Sequence, residues 1–404
     1  MKLLIITTVY PTYESEFYKK RPELAEKSFV GQKAALDFHA FGWADFWSQA
    51  LKPLNYEVRE STWNVGPLQL AWARENILNR PETLNLKDIA VAQAKSFEPD
   101  VVWFDGTDEE LLERIRTAIP SIRLVLGWVG SAIPATKIWK QIDLILSCAP
   151  ESVEYLRGLG LRASQIHHGF DPRINGRLNT RSKQLDVTFI GQLIKGSGFH
   201  DYREKFLEEI ASAIKPRIFC PNGQWGKRNV AKVIAKRAIF RLGQSLRGVG
   251  IRGPVVRRIE ELKERSDTGA RVNSNLSSLL TPAVYGLEMF RTVRNSKVVL
   301  NIHADSSPLY ASNMRLFETT GVGTCLVTDH KKNLGELFEF DEEVIVYRTP
   351  EECIEKVTWL LEHPAEREEI ARAGQKRTLE DHTFAKRARQ LDAIIRSELG
   401  KKSH

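Results

Sequence analysis

The chain has 404 residues, of which 42% are hydrophobic and 27% charged, with a formal net charge of +8. This predicts two globular domains with cores of their own, and excludes a disordered chain or one spanning a membrane, since no run approaches ~18–20 apolar residues. The charge is uneven: residues 1–180 hold 21 Lys+Arg against 22 Asp+Glu, and residues 181–404 hold 38 against 29, so the second half suits an anionic ligand, whether sugar nucleotide, nucleic acid or lipid.

Lys2–Val9 reads as a first strand, and its apolar run is too short for a signal peptide. Pro11–Pro22, aromatic, polar and bounded by prolines, reads as a loop. Glu23–Leu51 reads as a helical stretch rich in aromatics, with His39 as a structural or acceptor-groove residue. Pro99–Phe104 is a buried strand ending in Asp105, Gly106, Thr107 and Asp108. A carboxylate there faces the cleft of an open α/β sheet or caps the helix that begins near Glu109. Arg123–Val129 and Ile142–Ser147 are further strands, and Pro150 with Glu151 opens a helix. The His167-His168 pair lacks a third ligand at metal-binding spacing. Arg173–Gln184 reads as a linker. The alternation of strands and helices predicts parallel sheets.

Asp186–Gly191 is a strand entering a glycine turn, followed by a helix near Tyr202–Ile214. Backbone N–H groups and a helix N-terminus there suit a phosphate. The turn is neither a P-loop nor GxGxxG, which counts against a nucleoside triphosphatase or a dinucleotide oxidoreductase. Residues 215–265 carry 14 Lys+Arg against 3 Asp+Glu. Their basic amphipathic pattern fits either a helix with a solvated face or a contact with an anionic membrane surface. Val298–Ile302 is a strand, Ala304–Ser312 a loop, and Asn313–Glu318 opens a helix capped by Ser312 or Asn313. Gly321 and Gly323 end that helix before the strand Thr324–Thr328. Arg315 presents a planar fork of donors for phosphate or a carboxylate, and Glu318 two acceptors suited to a ribose diol. The four cysteines, Cys148, Cys220, Cys325 and Cys353, form no CxxC pair and read as reduced thiols of a cytoplasmic protein.

Leu300-Asn301-Ile302-His303, Asn313–Glu318, Gly321, Gly323 and Leu326–Asp329 together resemble the C-terminal domain of the CgeB-like branch of GT-B glycosyltransferases, itself similar to the larger group-1 family. The likeness continues through Leu334–Phe338, Tyr347–Glu352, His363-Pro364 and Glu380–Phe384. It implies an α/β GT-B fold: two facing Rossmann-like domains with a cleft between them. Residues 1–180 would form the acceptor domain and 181–384 the nucleotide-sugar domain, with a basic insertion at about 227–275. A terminal helix at about 385–400 would cross back onto the first domain.

The resemblance implies a glycosyltransferase of the hexosyltransferase type, moving a sugar from a nucleoside-diphosphate donor to a hydroxyl on a glycan, lipid-linked or protein acceptor. It needs no metal and no cofactor. Glu318 would bind the ribose, while Asn313, Arg315 and the Gly191 turn with Lys195 or Arg203 would hold the diphosphate. Tyr285 is placed near the base. Asp105 stands where group-1 relatives usually carry a histidine motif, and would be the general base of an inverting enzyme. His39, His168 and His303 are acceptor-side or cleft candidates. Retaining group-1 enzymes carry a Glu-x7-Glu pair; here Glu318 is the second member and Tyr310 fills the first position. The expected location is cytoplasmic, with a peripheral contact at the inner membrane face through 227–265 as the alternative to a solvated basic face there, and nucleic acid is not an expected partner. Two alternatives stand beside this reading: a GT-B nucleotide-sugar epimerase, and a basic non-enzymatic protein binding nucleic acid or anionic membrane.

Overall fold

The structure, a computed structural model, describes residues 1–77, 84–179, 183–193, 201–221 and 276–401. Lys195 and the basic segment 227–275 lie outside the described residues.

Two six-stranded sheets organise the chain, and their strand pairs are parallel. The first contains β1 (Lys2–Thr7), β2 (Glu57–Thr62), β3 (Val101–Phe104), β4 (Leu124–Val129), β5 (Leu144–Ser147) and β6 (Ala163–Gln165), in the order β2-β1-β3-β4-β5-β6. The second contains β7 (Leu185–Ile190), β8 (Arg217–Cys220), β9 (Leu280–Pro282), β10 (Ser296–Asn301), β11 (Cys325–Asp329) and β12 (Ile345–Tyr347), in the order β12-β11-β10-β7-β8-β9. β3, β5 and β11 are buried at every residue, as strands covered by helices on both faces must be. Two α/β units with parallel sheets result, as expected from the sequence.

The last helix, Phe384–Lys401, packs on the first sheet's side. Phe170 and Phe384 exchange backbone bonds across the crossing: Phe170 N–H donates to His382 O and Phe384 N–H to Phe170 O. Phe384 meets Phe46 and Trp47, and Tyr56 donates to Asp392 at 2.7 Å.

Four local expectations are corrected. Pro11–Lys19 is a helix, not a loop: Pro11 takes its first turn, where a missing N–H costs nothing, and Tyr13 and Phe17 bury one face four residues apart. The stretch 23–51 is not continuous. The helix Phe29–His39 stops at Ala40 (φ 57°), and a turn with Gly42 (φ 66°) and Ala44 (φ 46°) leads to a second helix, Phe46–Leu51. Arg173–Gly176 is helical, and its first residue pairs with Asp45 and Asp171, so this segment is built into the structure rather than a free linker. The helix at Asn313 begins at Arg315, and neither Ser312 nor Asn313 caps it.

Candidate functional site

In each sheet the strand order reverses once, between β1 and β3 and between β7 and β10. In open α/β sheets the crevice at such a reversal, outside the strand C-termini, is where ligands bind. Here both crevices open onto one cleft of about 710 Å³. Thr7–Val9 and Asp105–Thr107 supply the first wall, and Ile190–Gln192 with Asn301 and Ile302 supply the second.

The second wall carries the polar run. Arg315 and Glu318 lie one turn apart on the helix Arg315–Gly321, paired at 2.8 Å, with side chains only 17% and 11% exposed. Their pairing is therefore inside the cleft rather than on an outer face. Arg315 Nη1 also lies 2.7 Å from Met289 Sδ, and its Nε has no partner among the described residues. Asn313 donates through Nδ2 to Asn301 Oδ1 at 2.7 Å. Asn301 is fixed in turn by donating to Thr328 Oγ1. Asn313 Oδ1, an acceptor, is buried without a partner among the described residues. Asn301, a polar residue closing an apolar strand, was not singled out from sequence, although that position is itself the signal. Arg203 lines the same wall and donates through Nε to Ile302 O at 2.8 Å. Burial pushes its guanidinium down to about 10, partly offset by Asp329 and Asp305, so it stays charged at neutral pH. At Gly191 a Cβ would fall 2.8 Å from the Phe189 ring, so any larger residue there would have to displace that ring.

His303 does not line the cleft. It lies buried behind the wall, with Nδ1 2.6 Å from Asp329 Oδ1. Burial alone would raise the Asp329 carboxyl, but His303 and Lys331 (3.2 Å) outweigh it and hold the group down at about 2. The position is correct in sequence but faces the other side of the strand end.

On the first wall, Asp105 points into the cleft with no side-chain partner among the described residues, and burial raises its carboxyl to about 6. Burial and the nearby Asp105 charge also raise the Tyr10 hydroxyl. Asp108, by contrast, is a cap, accepting from Leu111 N–H at 2.9 Å. His168 lines the cleft with its ring edge-on to Trp128 at 5.4 Å, and burial lowers it to about 3, so it is neutral. His39 is not a cleft residue. Its Nδ1 lies 3.2 Å from the Tyr13 hydroxyl, and its backbone and ring fill the space a Cβ on Gly286 would need (2.2 and 2.4 Å). Burial lowers it to about 4, so it is neutral packing between the domains. Tyr285 lines the cleft, but Phe41 and Tyr13 hold its ring edge-on, and its hydroxyl meets Thr12 at 3.2 Å. Sequence reasoning gave Phe41 and Trp43 mainly to the core, with only a weak link to an acceptor groove, and missed Trp128, because aromatic character reads as core. Among the described residues no three His, Cys, Asp or Glu side chains come together as a metal site, and no helix is long and apolar enough to cross a membrane.

Comparison with known proteins agrees with this geometry. Residues 257–393 match the family model described as "Glycosyl transferase-like". Among curated proteins no sequence matches. Sucrose-phosphate synthase from Thermosynechococcus elongatus is similar in structure, with TM-score 0.54 and 13% identity over 99% of this chain and all of that one. So is Anabaena HepE in complex with UDP-glucose, with TM-score 0.51 and 12% identity over 98% of this chain and all of that one. An α-glucosyltransferase in complex with UDP-glucose and DNA containing an abasic site gives TM-score 0.53 and 11% identity over 98% of this chain and 99% of that one. At these identities the likeness establishes the fold: two facing parallel-sheet domains of the GT-B type along the whole chain.

Proposed function

We propose that the protein is a glycosyltransferase moving a sugar from a nucleoside-diphosphate donor, uridine diphosphate foremost, to an acceptor hydroxyl. The observation that carries this reading is the polar array on the second wall: Glu318, Arg315, Asn313 and Arg203 gathered at the β7/β10 reversal, facing the Asp105 carboxylate across one cleft. The matched glycosyltransferase-like segment contains Asn313, Arg315 and Glu318, and two of the structurally similar proteins were solved with UDP-glucose.

In this reading Glu318 accepts from the ribose hydroxyls, its carboxylate held in place by Arg315. The free Arg315 donor, the Arg203 charge and the Gly191 turn receive the diphosphate. Asn313, with an acceptor oxygen free, is better suited to a sugar or ribose hydroxyl than to a phosphate oxygen. Asp105 takes the proton from the acceptor hydroxyl as that oxygen bonds the anomeric carbon. The bond from that carbon to the diphosphate breaks with its electron pair, and the two arginines neutralise the charge that develops on the leaving group. A base on the wall opposite the donor implies inversion at the anomeric carbon. No metal is required, because the cationic side chains do its work. The protein works in the cytoplasm.

The test is a thermal-shift panel of UDP, GDP, dTDP, CDP and their sugars, with and without EDTA, on wild type and Glu318→Ala. Ligand at ~100 Kd adds ~2.7 kcal/mol to the native state. One nucleotide should raise the melting temperature with or without EDTA, and the rise should shrink in Glu318→Ala. A correctly folded protein that responds to none of them refutes the reading.

A further inference from the structure

The two walls of the cleft differ in charge. Among the described residues the cations lining it, Arg203 and Arg315, both stand on the second wall. The first wall carries two carboxylates, Asp37 and Asp105, and a neutral His168. Cations near that wall are engaged elsewhere. Lys33 pairs with Asp37 at 2.5 Å, Arg173 with Asp45 and Asp171, and Arg177 donates to the Asp37 and Phe38 carbonyls. Among the described residues no cation lines this wall, so an anion placed there would meet the Asp105 charge without one to offset the repulsion.

Aromatic rings supply the rest of the wall. Phe41 and Trp43 are carried on the turn after His39, where Ala40, Gly42 and Ala44 all have positive φ. Alanine seldom adopts that conformation, and such strain persists where surrounding contacts impose it, often at ligand sites. The Ala40 N–H bonds back to Leu36 O, the Trp43 carbonyl accepts from Phe46 N–H, and Arg173 and Arg177 clamp the two flanks. Trp43 then lies edge-on to Trp128 at 5.2 Å. Rings held this way offer apolar faces at little entropic cost to a ligand with its own apolar face and polar edge, which describes a sugar ring.

We infer that the acceptor is a saccharide bearing neither phosphate nor carboxylate, seated against Phe41, Trp43 and Trp128 with its reacting hydroxyl at Asp105. This rests on the glycosyl-transfer reading above and names the class of its second substrate. The experiment first identifies the nucleotide by thermal shift. It then measures acceptor-dependent nucleotide release with neutral mono- and oligosaccharides, each beside its own 6-phosphate or uronic-acid counterpart. Neutral members should be used at least tenfold better in kcat/KM. Phe41→Leu should lower kcat/KM for them at least fivefold while the donor's thermal shift is unchanged, which shows that the variant is folded. Thr107→Lys, placing a cation on the first wall, should narrow the preference to within threefold. Nucleotide binding with the anionic members used better, or with no saccharide used at all, overturns the acceptor class. Absence of nucleotide binding overturns the transfer reading beneath it.

Discussion

Asp105→Asn separates the carboxyl's chemical role from its cost to the fold. Burial holds this carboxyl at about 6 rather than its ordinary 3.8, with no charged partner sharing the cost. Each pKa unit is worth about 1.4 kcal/mol, so ionised Asp105 costs the native state up to about 3 kcal/mol, trimmed to about 1–3 by solvent at the open face of the cleft. The folded-state value lies above the unfolded one. The group's contribution to stability is therefore fully present below about 3.8 and is lost as pH rises through about 6. Asparagine does not ionise and keeps that contribution, so by urea unfolding the variant should exceed wild type by about 1–3 kcal/mol at pH 8 and match it near pH 3. Activity should move the other way. Loss of a general base costs about 10²–10⁴ in transfer rate, with the nucleotide thermal shift intact, and the wild-type rate should rise with pH through about 6 to a plateau. An Asn variant with no pH-dependent gain in stability, or with transfer rates near wild type, would remove Asp105 from both roles.

Gly286→Ala should cost more than about 2 kcal/mol in chemical denaturation, because the backbone has φ 54° and the new Cβ would lie within 2.4 Å of His39. Gly321→Ala should cost about 1–3 kcal/mol and weaken nucleotide binding as well. Its Cβ would enter the Phe170 ring at 2.3 Å and push the helix bearing Arg315 and Glu318. Glu151→Ala should loosen the bridge between the two domains. Its carboxylate accepts from Ser307 Oγ, Leu309 N and Tyr310 N at 3.0–3.2 Å, and losing those bonds should cost about 1–3 kcal/mol and speed hydrogen exchange at 309–310. EDTA should leave transfer within about twofold of the untreated rate, measured as nucleotide release, if side-chain cations take the place of a metal at the diphosphate.

Much of the fold was readable because parallel strands buried on both faces leave near-continuous apolar runs, as Val101–Phe104 and Cys325–Asp329 do. Asp105, Arg315 and Glu318 were readable for a related reason, whereas Arg203 was picked out by resemblance alone. A charged side chain just past such a run, or in the helix turn after it, has few places to go except the crevice at the strand ends. That argument locates a residue along the chain but not around it. His303 lies two residues beyond Asn301, past the end of the strand where the regular alternation stops, and its ring turns to Asp329 at the end of the neighbouring strand instead of into the cleft. His39 fails for a different reason. Its role depends on Gly286, 247 positions later, approaching closely enough to exclude even a methyl group, and no local pattern carries such a contact.

The aromatic turn is the most instructive miss. Read by periodicity, the stretch from Glu23 to Leu51 favours one helix. What breaks it is a left-handed Ala40, a conformation alanine does not choose unaided. The conformation holds because Arg177 takes the carbonyls of Asp37 and Phe38 at the end of the first helix, and Arg173 takes the side chain of Asp45 before the second. Both arginines come from the segment joining the two domains. The shape of the first wall therefore depends on a stretch of sequence more than 120 residues downstream of it. Replacing Arg177 with Met, which keeps an unbranched apolar stem and removes the donors, should relax the turn and raise the acceptor KM while sparing the donor's thermal shift. An unchanged KM would mean that the turn is held by its own aromatic packing instead.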